Sequence, residues 1–486
     1  MRNLSQLLSA FLTLLLGLTA CAPAAAPTKL PAEAKPTVVP PVIAPTATTA
    51  PFLYESSLPA VLWGENNKQH LLFPLDPSSG EALPGYEPIS LGRSYSYAFS
   101  PDRRTLAAVT FPNDFSYYDG SLLLVDLTTW KTQHFDLKLD GWVGSMVFSP
   151  NGGLLAISHG NEYTSSLTLF DLEKQVILTQ GETDLLVPRI KFTSAGDALM
   201  LYGLPVNDRA TGNQMGGGTP HVVLLDAADL SPRWRAEVEG VREGIFPKDE
   251  KSTLTPTQML EQGQALYLAP GIAFAPERDL LYIAHADSEQ LTTVDFGTQT
   301  VGTVEIHARL SWFERLLSLT AGVAHAKVGD GTSKQVAVSP DGQFLYVVGM
   351  ENESFQDQQG NWEFSQTPLG LEVIQTNDGS RVERIETSSG ELSLSPDGRF
   401  LYLRGWLNNA EGAPETEVFD TSTRQIVDRK AGLFLFPASR MDGEPLLVST
   451  YSVSNSLHHM TVLRPDDLSL LAEWKGRDYI AWLTPQ

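Results

Sequence analysis

The 486-residue chain holds a single cysteine, Cys21. No disulfide can close within one chain, and cysteine-based metal or redox sites are excluded. Positive charge is also scarce: 34 Lys and Arg stand against 57 Asp and Glu, a net charge of −23. Such a surface repels phosphate backbones, so no nucleic acid is expected as a partner. The same acidity keeps an exported protein soluble. Beyond the first twenty residues no apolar run reaches the roughly 18 residues needed to span a bilayer. H-E-x-x-H, G-x-S-x-G and an Asp-x-Asp-x-Asp calcium loop are all missing. The nine histidines are scattered. Their one doublet, His458-His459, would send its rings to opposite faces of a strand. No catalytic residue, metal ligand or cofactor is therefore predicted.

What is present begins with an address. Arg2 precedes the apolar segment Leu7 to Leu18, which is short for a membrane span and has the flanks of a signal peptide. Leu18-Thr19-Ala20-Cys21 follows. This tetrad resembles the lipobox of bacterial lipoproteins, which implies cleavage after residue 20 and a diacylglyceryl group on the Cys21 thiol. Ordinary secretory cleavage nearby, with Cys21 incidental, is the alternative. Residues 21–56 are then the lipidated cysteine and a Pro/Ala/Thr-rich tether without helical or strand period. Polyproline II geometry of ~3.1 Å per residue would hold the body up to ~100 Å from the bilayer.

From residue 57 to 486 one pattern repeats. A short strand ends in a turn such as Ser100-Pro101-Asp102, Ser149-Pro150-Asn151-Gly152, Ser339-Pro340-Asp341-Gly342 or Ser395-Pro396-Asp397-Gly398. Proline presets the first corner, and Asp and Gly accept the second. An apolar second strand follows, as in Leu106-Ala107-Ala108-Val109, Leu154-Leu155-Ala156-Ile157 and Phe400-Leu401-Tyr402-Leu403. Continuous apolar runs of this length mean burial on both faces. Third strands close on Asp126, Asp171, Asp226, Asp295 and Asp420, where a carboxylate starts a turn; this is a structural task. Units of roughly 40 to 50 residues with four strands predict an all-β fold, a single β-propeller of four-stranded blades.

The repeats resemble the YVTN family of surface-layer propellers, and more loosely TolB-type and WD40-like repeats. The stretch Ala275 to Ile306 carries the likeness best, with Leu281-Tyr282-Ile283-Ala284-His285 at the YVTN position and His285 replacing the usual Asn. The resemblance speaks to fold more than to activity.

Full units are expected to begin near 94, 143, 187, 270, 334, 391 and 431, which makes seven. The piece 57–92 lacks a first strand, and residues 479–485 are a first strand with nothing after it. Joining them closes a ring of eight blades; seven is the alternative. Three insertions exceed what a blade requires. Residues 205–219 form a flexible loop whose three glycines have no phosphate-loop context. In 241–269, Thr255, Pro256 and Gln258 predict a capped helix over 256 to about 266. In 308–333, Ser311 and Glu314 cap a second short helix, with Trp312 and Phe313 on its apolar face. That face either packs on the propeller or docks a partner.

Candidate binding residues are thus Trp312, Phe313, His159 and His285, the two histidines standing after second strands where a channel mouth would lie. A polar loop-end role is the simpler reading of both. The expected function is an envelope- or surface-tethered binding scaffold, its membrane contact made through the N-terminal lipid, holding a protein, glycan or small ligand on one face. The alternative, resting on analogy, is a propeller enzyme of lactonase or quinoprotein-dehydrogenase-like type with its site at the central channel.

Overall fold

Each repeated turn locks its two strands with the same three hydrogen bonds. At Ser395 the hydroxyl donates to Asp397 Oδ1 at 2.6 Å, and the Phe400 and Arg399 amides donate to Ser395 Oγ and Asp397 Oδ1. Ser100 with Asp102 and Ser339 with Asp341 repeat the pattern, and Asn151 replaces the acid beside Ser149. The glycine that completes the turn has a left-handed φ of 70–71° at Gly152, Gly342 and Gly398, where a side chain would be strained. The third-strand aspartates also cap turns. Asp126, Asp226 and Asp420 each accept a backbone N–H two residues on at 2.8 Å. Short polar side chains thus satisfy backbone groups that the strand ladders leave over.

The computed structural model describes residues 62–482, apart from 67–69, 77–80, 92, 112–118, 162–163, 207–216, 250, 309–329, 357–361, 396, 407–412, 440–444, 455–456 and 478–479. The expected signal peptide and tether, Cys21, and the helix carrying Trp312 and Phe313 lie outside the described residues. The fold is an all-β propeller with four-stranded antiparallel blades and, among the described residues, one short helix. Six blades are sheets of four strands consecutive in sequence, spanning 93–139, 142–183, 189–237, 271–305, 389–431 and 436–477. The expected count of eight blades, and the alternative of seven, is thus corrected to six complete four-stranded blades. The unit near 334 belongs instead to an eight-stranded sheet.

That composite sheet arises because the insertions are themselves partly strands. Ala265–Ala269 pairs in parallel with the first strand of the unit, Gly331–Val338, and Gly244–Pro247 pairs outside it. At the other edge His307–Ala308 runs parallel to Ser380–Ile385. The second strand, Phe344–Gln356, overshoots its blade and pairs with Trp362–Pro368 as a projecting hairpin. Between the two added strands lies the helix Pro256–Glu261, shorter than expected but with the expected Thr255–Gln258 capping box. One further sheet joins the chain ends: Ile480–Trp482 pairs antiparallel with Leu62–Asn66, followed by Leu71–Leu75 and Ile89–Ser90. The two complementary end pieces therefore share a sheet, as their sequences predict.

The apolar core lies between sheets. Ala107 and Val109 pack with Leu155 and Ile157; Leu167 and Leu169 with Leu199 and Leu201; Met200 and Tyr202 with Leu281 and Ile283. Tyr282 and Ala284 continue to Leu345 and Val347, then Tyr346 and Val348 to Leu401 and Leu403, then Tyr402 to Leu447. Val448 and Met460 meet Leu75 of the shared sheet, whose Leu72 packs with Leu106 and Ala108. The path returns to its starting sheet. Each second strand is buried because neighbours cover both its faces. Fourth strands, such as Val176–Thr183, remain largely exposed.

Candidate functional site

In an antiparallel meander, first-to-second and third-to-fourth turns share one end. Second-to-third and fourth-to-first connections share the other. The Ser-Pro-Asp-Gly turns and the aspartate turns occupy the first end. The described parts of the insertions 205–219 and 241–269, and the projecting hairpin 344–368, fall at the second. They also touch one another: Gly217 and Gly218 donate to the carbonyls of Ile245 and Glu243. Gly217 has no room for a side chain there, since a Cβ would meet the Phe246 ring at 2.3 Å.

A cavity of about 1220 Å³ opens at this end. Its floor is built by first strands of successive sheets, through Arg189, Ile272, Lys334 and Glu391. One wall is the blade 389–431, and the facing wall includes Met350, Gln366 and Pro368 of the projecting hairpin. The wall of 389–431 carries charged residues where its repeats predict apolar ones. Arg404 lies in the second strand, Glu415 and Glu417 in the third, and all three are buried.

Strand register divides these groups between two faces. Glu415 stands opposite Gly405, and Glu417 opposite Leu403, on the side of Met350 and the hairpin. Gly405 is required for close approach, since a Cβ there would meet the Ser388 carbonyl at 2.3 Å. Glu417 is held by Arg429 at 2.9 Å and by the Thr387 hydroxyl, which donates to it. Arg404, on the other face, donates to Ser393 Oγ at 2.6 Å and to Glu391 at 3.4 Å, and its guanidinium lies 4.4 Å over the Phe436 ring. Burial lowers its pKa, and Glu391 opposes that. Trp406 is half exposed and meets Phe434 edge to face at 4.8 Å.

The opposite part of the lining is basic. Burial lowers the pKa of Lys334, while the carboxylates of Glu372, Glu289 and Asp287 raise it. Arg189 lies near a buried pair in which the Tyr202 hydroxyl donates to Glu243 at 2.7 Å. Burial raises the Glu243 carboxyl above its ordinary value. The cavity therefore offers carboxylates on one side, cations on the other, and an aromatic edge.

His159 and His285 line no part of it. Both are buried at the ends of second strands and bond the neighbouring third strand, His159 Nε2 with Thr168 Oγ1 at 3.0 Å and His285 Nε2 with Thr292 Oγ1 at 2.8 Å. The expectation that they face a channel mouth is corrected: in this fold they pin strands together. Among the described residues no group of three or more His, Cys, Asp or Glu could hold a metal ion, so a lactonase-type centre has no donor set there.

Burial lowers the pKa of both rings; the Asp140 carbonyl and carboxylate oppose this at His159, and Asp287 opposes it at His285. The folded state thus favours neutral imidazole, while the unfolded chain takes a proton near pH ~6.5. This stability is complete above that value and is lost as pH falls through the depressed folded values. The melting temperature should drop by a few degrees between pH 7 and 5. A His159→Gln, His285→Gln double variant should show a shallower slope over that window, read by calorimetry. An equal slope would reject the assignment.

No protein-family model matches the chain, and no curated protein matches it. Among solved structures it is similar to a eukaryotic initiation factor, at 12% identity over 88% of this chain and 98% of that one, with a TM-score of 0.47. It is also similar to the dihydro-heme d1 dehydrogenase NirN in complex with DHE, at 15% identity over 84% and 79%, TM-score 0.37. A third is the β-propeller domain of Cps50 (Swd1) from Myceliophteria thermophila, at 13% identity over 74% and 94%, TM-score 0.37. Fold and site together define a β-propeller with a polar cavity at its insertion-bearing end.

Proposed function

We propose that this chain is an exported lipoprotein, anchored through Cys21, whose propeller is a binding module holding its ligand in the cavity at the insertion-bearing end. The address is supported by the apolar segment Leu7 to Leu18, the tetrad ending at Cys21 and the Pro/Ala/Thr-rich tether. One observation carries the binding reading. A cavity of about 1220 Å³ lies at the end where the described parts of two insertions and the projecting hairpin fall. Arg404 and Arg429 are bonded to carboxylates of the wall, which suits recognition better than group transfer.

The test is a thermal-shift panel of amino acids, amines, short peptides, sugars and nucleotides on the full chain. At least one class should raise the melting temperature. Gln366→Trp, which narrows the cavity from the hairpin side, should abolish that shift without lowering the melt of the free protein. Detergent-phase partitioning of the chain, lost on Cys21→Ser, checks the anchor. No shift with any class, or shifts indifferent to Gln366→Trp, would overturn the cavity reading.

A further inference from the structure

The wall of 389–431 presents Glu391, Glu415 and Glu417 to the cavity, and Glu386 stands in the segment leading into it. Two have cations of their own, Arg404 beside Glu391 and Arg429 beside Glu417. Glu386 is exposed to water. Glu415 differs from all three. It is only 8% exposed, and among the described residues no cation pairs with it. Its single side-chain hydrogen bond is a long one, donated by Ser388 Oγ to Oε2 at 3.4 Å. Among the described residues no other side-chain bond to this carboxylate is seen. A carboxylate withdrawn from water without a counter-charge is costly, and such groups are normally paired. Here the wall supplies the acid and the cavity supplies the space for its partner.

We infer that Glu415 anchors a subsite for an alkylammonium group, carried either by a free small amine or by a lysine side chain of a peptide. The inference rests on the cavity being the binding site. The donor geometry selects the ammonium. A planar guanidinium fork pairs best with two openly accessible carboxylate oxygens, whereas Glu415 is 8% exposed with Ser388 Oγ against Oε2. A metal ion needs several ligands, and the acids here form no such group. A compact ammonium needs one charged oxygen plus neutral acceptors, and the Thr387 and Ser388 hydroxyls belong to the same lining. Gly405, directly across from Glu415, lets the Ser388 backbone approach closely and so brings the Ser388 hydroxyl beside the carboxylate.

Calorimetric titration of the full chain with 1,5-diaminopentane and with the peptide acetyl-Gly-Lys-Gly-amide separates the two sources. Binding of either supports the subsite and names its carrier. Glu415→Gln should weaken that binding at least tenfold, and the peptide with acetylated lysine should not bind. A second variant does not depend on leaving a cavity wall short of charge. Ala431 is exposed and stands opposite Glu415 on the next strand. Ala431→Lys should place an internal ammonium on Glu415, abolish amine binding and leave the melt at or above wild type. Amine affinity unchanged in both variants, or equal binding of the acetylated peptide, would overturn the subsite. If neither amine binds while another compound of the panel shifts the melt and is blocked by Gln366→Trp, the ammonium subsite falls and the cavity reading stands.

Discussion

Deleting residues 479–486 should lower the melting temperature by roughly 5–10 °C and make the unfolding transition broader. The deletion removes Ile480–Trp482, the strand that completes the sheet begun by Leu62–Asn66. Each lost backbone hydrogen bond costs about 1 kcal/mol. The larger effect is topological. In a ring, every sheet has two neighbours; in an opened array, two sheets have one each and can fray. The sheet that frays first here is the shared one, whose Leu72 and Leu75 anchor the cores on both sides. Its exposed edge also becomes a template for pairing with other chains. Calorimetry with light scattering reads both consequences. A truncated chain that melts like the full one, without added scattering, would show that the terminal strand does not close the ring.

Phe419→Ala should cost about 3–5 kcal/mol, the range for a large aromatic side chain removed from a packed core. Phe419 is fully buried in the third strand Pro414–Asp420. It reaches across the sheet interface to Tyr346, ring centroids 6.4 Å apart, and packs in one cluster with Leu371, Leu392 and Leu403. Truncation opens a void between two sheets that their own hydrogen bonds hold in place, so little collapse is available to fill it. Phe419→Leu keeps most of the volume and should cost under about 1.5 kcal/mol. Trp406→Ala, on a half-exposed ring at the cavity rim, should leave stability nearly unchanged. Urea denaturation of the three variants checks the order. A Phe419→Ala loss below that of Trp406→Ala would contradict the interface.

The fold was readable because its punctuation is chemical. Serine, proline, aspartate and glycine at the Ser395 and Ser339 turns state where a strand ends, and the apolar run that follows states that both faces are covered. The Thr255 capping box marked its helix for the same reason. The composite sheet was not readable. Residues 241–269 look like a loop interrupted by a helix, because Gly244–Pro247 and Ala265–Ala269 have no alternation and only four or five residues each. Ala265–Ala269 is placed by its parallel pairing with the distant strand Gly331–Val338, and Gly244–Pro247 by its antiparallel pairing with Ala265–Ala269. The hairpin Phe344–Pro368 was hidden in the same way, by polar strands that carry no periodic signal.

The site was missed for a related reason. His159 and His285 attracted notice as rare residue types, yet both serve strand packing. Arg404, Glu415 and Glu417 lie inside runs whose pattern is apolar elsewhere, as in Phe400-Leu401-Tyr402-Leu403-Arg404. A charge in a strand covered on both faces breaks the repeat's own rule. That departure was the available signal, and it points to function more directly than any histidine does.

The sheet shared by residues 62–66 and 480–482 has a consequence for how the molecule is made. Residues 480–482 are required by the sheet that residues 62–66 begin, so the native ring cannot exist until synthesis has passed residue 482. Pairing across some 400 intervening residues would be entropically expensive in an open coil, since closure cost grows with loop length. Blades stacked in order remove that cost, because the finished arc already holds its two ends side by side. Until then the arc is a protein with two unfinished borders, and its safety depends on completing translation promptly.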